Sequence, residues 1–436
     1  MNQNFSRPDT AHDGSAVMDA LDKQLVDAEA DSLPPPQPPV LRSRRARFVL
    51  GASLVLIAFN LRPLFSSLSV LLPEVMDETG LSTTGASLLT TLPVLCLGLF
   101  APFAPKLAQR YGAERTLLGA LILLVIGTGL RGLESVPLLF TATFLAGAAI
   151  AIGNVLLPGL VKRDFPQSAA IMTGLYTMAL CGGSAGAAGL TLPIEHLLTG
   201  SWSGALAAWA VPAMIVVLIW TPQALGSRQQ VSHNAFRVTG LWRDRLAWQV
   251  TFFMGLQSAL AYCVFGWLAP ILRERGFDAT TAGALVSVSV MAQVVTCLAV
   301  PSFAVRQKNQ CAVNIALVAA ATVALLGILF APTSTVVFWA ILQGIGQGGL
   351  IAAAMTVIVL RSPDSHVAAH LSGMAQGVGY VLAAAGPLLV GLIRGWTGSF
   401  QATAFLYVAL GIGAAIAGLG AGRALHVGAR TEKIEG

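Results

Sequence analysis

Between Phe48 and Ala421, long apolar runs alternate with short polar breaks. Twelve can be marked: Phe48–Leu72, Gly85–Pro105, Thr116–Leu133, Leu138–Val161, Ser168–Pro193, Gly204–Trp220, Leu246–Leu272, Thr281–Phe303, Ala312–Ala331, Thr335–Leu360, Ala368–Ile393 and Gln401–Ala421. Most approach the roughly 20 residues a helix needs to cross hydrocarbon. Composition excludes a water-soluble alternative. Of 436 residues, 55% are hydrophobic and 11% charged, against about 25% charged in soluble domains. The expected fold is an all-α membrane protein with twelve transmembrane helices.

Charge orients the spans. An even count puts both termini on one side, and Lys and Arg choose that side. Of the 26 basic residues, only Arg131, Arg273, Arg275 and Arg394 fall in the odd-to-even loops; the rest, apart from Arg62, lie in the tails and the even-to-odd loops. Both termini are therefore expected in the cytoplasm. A net charge of +6 does not point to nucleic acid when the basic residues sit at helix ends. The five cysteines are scattered, with no CxxC, and read as small core hydrophobes rather than a disulfide frame or zinc site. No cofactor or metal is expected. Residues 1–47 are acidic, end in a proline stretch and read as a disordered tail without the apolar core of a signal peptide.

The chain repeats itself. At an offset of 197, Pro73 falls on Pro270, Thr83-Thr84 on Thr280-Thr281, Leu88 on Leu285, Gly147 on Gly344 and Pro166 on Pro363. Two parallel six-helix halves are the organisation of the major facilitator superfamily, with the solute held near the midplane between them. The expected domains are a six-helix bundle at 48–222, a cytoplasmic linker at 223–245, a second bundle at 246–423 and a tail at 424–436.

Within the runs there is no Asp or Glu; Glu74 and Glu195 come closest, and no histidine is central. The titratable group that proton-driven carriers commonly place in the membrane is missing. Arg62 is the exception. It stands roughly 21 Å along the first run at about 1.5 Å per residue, too deep for easy snorkelling. Unpaired there, an Arg costs at least about 2.5 kcal/mol. Its guanidinium fork suits a small anion. The bland reading is a structural Arg bonding carbonyls freed by Pro63. Asn60 maps onto Gln257 in the repeat, whereas Arg62 maps onto Ala259, so one half supplies charge and the other only dipoles. Asn154, Tyr262, Gln347 and Gln376 are further candidates for solute contact, set against a role as helix glue. Ser66 and Ser69 share the Arg62 face, where bonding back to their own helix is the blander reading. The run Gly182-Gly183-Ser184-Ala185-Gly186 reads as close helix packing or a hinge, not a phosphate loop, because no P-loop Lys follows.

Several motifs carry a resemblance. Asn60-Leu61-Arg62-Pro63, Thr91-Leu92-Pro93, Gly153-Asn154-Val155-Leu156-Leu157-Pro158, Gly255-Leu256-Gln257-Ser258 and Leu371-Ser372-Gly373-Met374-Ala375-Gln376 resemble the cyanate and nitroimidazole transporter family of the major facilitator superfamily. The resemblance spans about Arg47 to Gly422. It implies a carrier, not an enzyme, that moves a small anion or small polar heterocycle across a bacterial inner membrane; the carrier is expected to be a monomer. The superfamily's loop motif is degraded here to Pro105–Gly112, with Gln109 replacing the usual aspartate. Solute and lipid bilayer are the expected partners. A carrier of neutral or cationic drugs and a membrane sensor without flux are the competing readings.

Overall fold

The computed structural model describes residues 44–198, 200–226 and 236–433. Twelve of its helical stretches are long and apolar enough to span a membrane. They coincide with the twelve runs, most of them extended by a few residues at one or both ends. Most of the expected disordered tail lies outside the described residues, but its last part is corrected: helix α1 (Arg44–Asn60) begins inside it.

The first span is α1 plus α2 (Pro63–Thr79); α3 (Thr83–Phe100) is the second. The short α4 (Phe103–Tyr111) carries the degraded loop motif, and α5 (Ala113–Leu130), α6 (Val136–Asp164) and α7 (Ala169–Leu197) follow. The sixth span is α8 (Trp202–Ala208) plus α9 (Ala210–Gly226). Then come α10 (Arg245–Glu274), α11 (Ala279–Val305), α12 (Cys311–Phe330) and α13 (Val336–Leu360). The eleventh span divides into α14 (Ser365–Ala383) and α15 (Ala385–Thr397), and α16 (Ala404–Ala421) is the last. Local chemistry sets the ends. Asp244, Asp278 and Asp364 cap α10, α11 and α14 through backbone N–H groups at 2.8–2.9 Å. Bonds from Thr281 hold the Asp278 carboxyl below its ordinary range. That cap therefore contributes above the usual carboxylate pKa and is lost as pH falls through the lowered value. Gly80 and Gly398 end α2 and α15 with φ of +66° and +75°, which glycine adopts without strain.

Each half packs its own helices, α5 on α6 and α3 on α6 in the first, α11 on α13 and α10 on α14 in the second. The halves meet where α7 lies on α11, α3 on α14 and α15, and α2 on α10. These seams need small residues. A Cβ on Gly283 would strike the Ala188 carbonyl, and one on Gly391 the Ser87 hydroxyl. Ser287 Oγ crosses the α7–α11 seam to donate to Ala185 O at 2.7 Å. Arg273 of α10 pairs with Glu74 of α2, at the end of the bundle away from the chain termini. The outer faces stay apolar: Phe405 is 83% exposed and Ile416 66%, which only lipid can cover.

The all-α expectation has one addition. Strand β1 (Phe236–Thr239), from the linker, pairs antiparallel with β2 (Arg430–Lys433), from the C-terminal tail. Asp244 accepts from Gly428 N–H at 2.9 Å beside it. Buried Arg361 joins the same end, donating from Nε to Ala421 O at 2.8 Å.

Candidate functional site

The site begins with a missing hydrogen bond. Pro63 has no N–H, so the Phe59 carbonyl four residues earlier loses its partner and α1 stops at Asn60. Leu61 and Arg62 form a turn, and Arg62 caps α2 with Pro63 at its first position. The first span, Phe48–Leu72 in the sequence and Arg47–Thr79 in the structure, is thus built of two half-helices joined at a turn. The break is clamped from α7. Gly183 lies directly on the Phe59 carbonyl, where any Cβ would collide with it. One residue on, Ser184 Oγ and Ser66 Oγ share a hydrogen bond at 2.5 Å. The glycine run is therefore a close-packing element, and Ser66 bonds across helices rather than back to its own.

This arrangement puts two positive features at one point inside the bundle: the N-terminus of α2, with its partial positive charge, and the Arg62 guanidinium. Arg62 is half-buried. Nη1 donates to Tyr262 Oη at 3.5 Å, the long limit of a hydrogen bond. Its Cζ lies 6.0 Å from the Phe265 ring centroid, within cation–π range. Among the described residues no carboxylate pairs with it, so the remaining N–H groups keep their donor capacity. Around it stand four rings. Tyr262 lies 5.6 Å from Phe65, 6.0 Å from Phe265 and 6.1 Å from Tyr380, centroid to centroid. Cys181 of α7 is within electrostatic reach of the guanidinium. A small cavity behind the ring wall is lined by Leu64, Phe65, Leu68, Thr90, Pro93, Tyr262, Phe265 and Gly266.

Of the residues singled out in the sequence, Arg62 and Tyr262 are brought together directly, one from each half. Asn60 donates to Leu56 O at 2.9 Å and so closes the end of its own helix. Asn154 is half-buried on α6 with no hydrogen bond among the described residues; its neighbour Gly153 packs on Leu61. Gln257 and Gln347 are sealed in the second half, bonded to each other at 3.3 Å, with Gln257 also donating to Ser258 Oγ at 2.9 Å. They act as helix glue in this conformation. Gln376 is half-buried and donates to Ser372 Oγ at 2.9 Å, one turn back on α14. Tyr380, Phe265 and Phe65 were not anticipated. Tyr380 had a usable signal: it stands one turn beyond Gln376, and it is a polar aromatic inside a span.

The architecture of two six-helix bundles is matched by known proteins. The Major Facilitator Superfamily profile matches residues 49–341. The chain belongs to the major facilitator superfamily. Superfamily relatives extend over nearly the whole chain. It is 38% identical to the 2-nitroimidazole transporter of Escherichia coli (strain K12) over 87% of this chain and 97% of the relative. It is 39% identical to the uncharacterized transporter YycB of Bacillus subtilis (strain 168), over 87% and 95%. It is 30% identical to the cyanate transport protein CynX of E. coli, over 80% and 90%. Among solved structures, the nucleoside transporter NupG superposes with a TM-score of 0.68 at 12% identity, over 85% of this chain and 99% of that one. That likeness concerns the fold alone. As a member of the superfamily, the protein is a multi-pass membrane transporter and not an enzyme.

Proposed function

We propose that this transporter carries a small anion, cyanate-like, or a small polar heterocycle across a bacterial inner membrane by alternating access of its two halves. The observation that carries this reading is Arg62: a guanidinium at the break of the first span, with no acid partner among the described residues and with donors still free. An uncompensated cation in that position is costly unless something negative comes to it. Tyr262 and Tyr380 add phenol groups from the second half, and Asn154 an unengaged amide from the first. Relatedness to proteins named for cyanate and 2-nitroimidazole transport supports a small, polar or anionic solute. Asn60, Gln257, Gln347 and Gln376 shape the surroundings, and rearrangement of the halves would be needed to turn the sealed amides toward solute. The excess of Lys and Arg on the tail side supports both termini in the cytoplasm. With no carboxylate beside Arg62, facilitated diffusion, exchange, or symport of a proton carried by the solute itself fits better than an acidic relay.

Thermal stabilisation of the purified protein tests the reading, since a ligand that binds the folded state raises its stability. Cyanate, nitrate or a nitroimidazole is expected to raise Tm, and tetraphenylphosphonium is not. Stabilisation by the organic cation alone would instead indicate a drug-efflux carrier.

A further inference from the structure

The second half contributes no charge to the site, yet it contributes a phenol that nothing engages. Tyr380 stands on α14, its ring 6.1 Å from that of Tyr262 and nearly perpendicular to it at 73°. The residue is 9% exposed, and its hydroxyl has no hydrogen bond among the described residues. The ring it packs against, Tyr262, is the one that Arg62 bonds. Tyr262 Oη already accepts from Arg62, which leaves the Tyr262 O–H proton free to donate. The centre of the site therefore offers a guanidinium from the first half and two phenol O–H groups from the second. Between them, Phe65 and Phe265 present ring faces and edges.

We propose that Tyr380 is a specificity-determining residue, selecting flat, delocalised monoanions that have two acceptor ends over spherical anions. This rests on the anion site proposed above. A single-atom ion has no second end to place and no π face to lay on Phe265 or Tyr262. A carboxylate, nitrate or nitro-bearing anion can accept from Arg62 at one oxygen and from Tyr380 at another. Because Arg62 and Tyr380 belong to different halves, such an anion ties the halves together, whereas a spherical ion engages chiefly the charged one. Stacking against the rings adds an attraction that needs a flat ligand.

The test compares bromide, nitrate and benzoate on the full-length protein, taking apparent Kd from thermal stabilisation over a concentration series. Benzoate and nitrate are expected to bind more tightly than bromide. In Tyr380→Phe, which keeps the ring and removes the hydroxyl, their affinity is expected to fall on the order of 10-fold, the worth of one charge-assisted hydrogen bond, while that of bromide changes little. An unchanged benzoate-to-bromide ratio in Tyr380→Phe overturns the proposal. So does a wild-type protein that binds bromide as tightly as benzoate, a comparison that needs no variant. Arg62→Ala separates the two levels. If it binds all three anions as the wild type does, the anion site itself fails; if it loses all three while Tyr380→Phe leaves their ratio intact, only the role of Tyr380 fails.

Discussion

At the residue scale the proposed solute site rests on a single guanidinium. Arg62 holds a charge that cannot be removed at ordinary pH and a planar fork that matches two acceptor oxygens. Arg62→Lys keeps the charge and loses the fork. The expected outcome is a folded protein whose affinity for nitrate falls about 10-fold, equivalent to about 1.4 kcal/mol, read from the same thermal series. Equal affinity in Arg62 and Lys proteins would reduce the residue to a point charge. Arg62 was legible in the sequence because a lone cation amid apolar residues has no bland explanation of equal strength. Tyr262 was legible only as a polar residue in a pseudo-symmetric span. Phe265 was not, because its value lies in distances to Tyr262 and Arg62 that no local pattern encodes, and Tyr380 offered only a polar ring one turn beyond Gln376. Gln257 and Gln347 show the converse. Both are intramembrane amides that bind each other, and whether such an amide faces solute or a neighbouring helix depends on helix rotation, which one sequence does not fix.

The decisive feature among the elements is the broken first span. Apolar periodicity runs through Leu61 without interruption, so hydropathy alone shows one helix. Pro63 signals a disturbance but not its form. The two half-helices pack at their break against α7, whose Gly183 sits on the freed Phe59 carbonyl. The glycine run was readable as close packing, but its partner was not. Gly183→Ala is expected to destabilise the protein by about 1–3 kcal/mol through overpacking, seen as a lower Tm in detergent. Uptake should fall with it, because a shifted α7 releases the turn that presents Arg62. A variant with wild-type Tm and wild-type uptake would show that the close approach is dispensable. The β1–β2 ribbon lay beyond sequence reading for a related reason: its strands are four residues each and nearly two hundred residues apart.

For the whole molecule, the twelve spans, the two halves and the family were all visible beforehand, because lipid imposes a length and composition that leave a strong trace, and because duplicated halves repeat their glycines and prolines. The seams between halves are held by small residues on α7, α11, α3 and α15, with Glu74–Arg273 across α2 and α10. Arg62 from one half and Tyr262 and Tyr380 from the other lie along this division, the position that the proposed function gives to the solute. The most direct test of that account is uptake of labelled cyanate and nitroimidazole into proteoliposomes by the wild type and by an Arg62→Ala protein with unaltered Tm. The wild type is expected to transport at least one of them, and Arg62→Ala to lose that transport by well over 10-fold. Wild-type uptake by the Arg62→Ala protein, or ligand binding with no flux in the wild type, would contradict it.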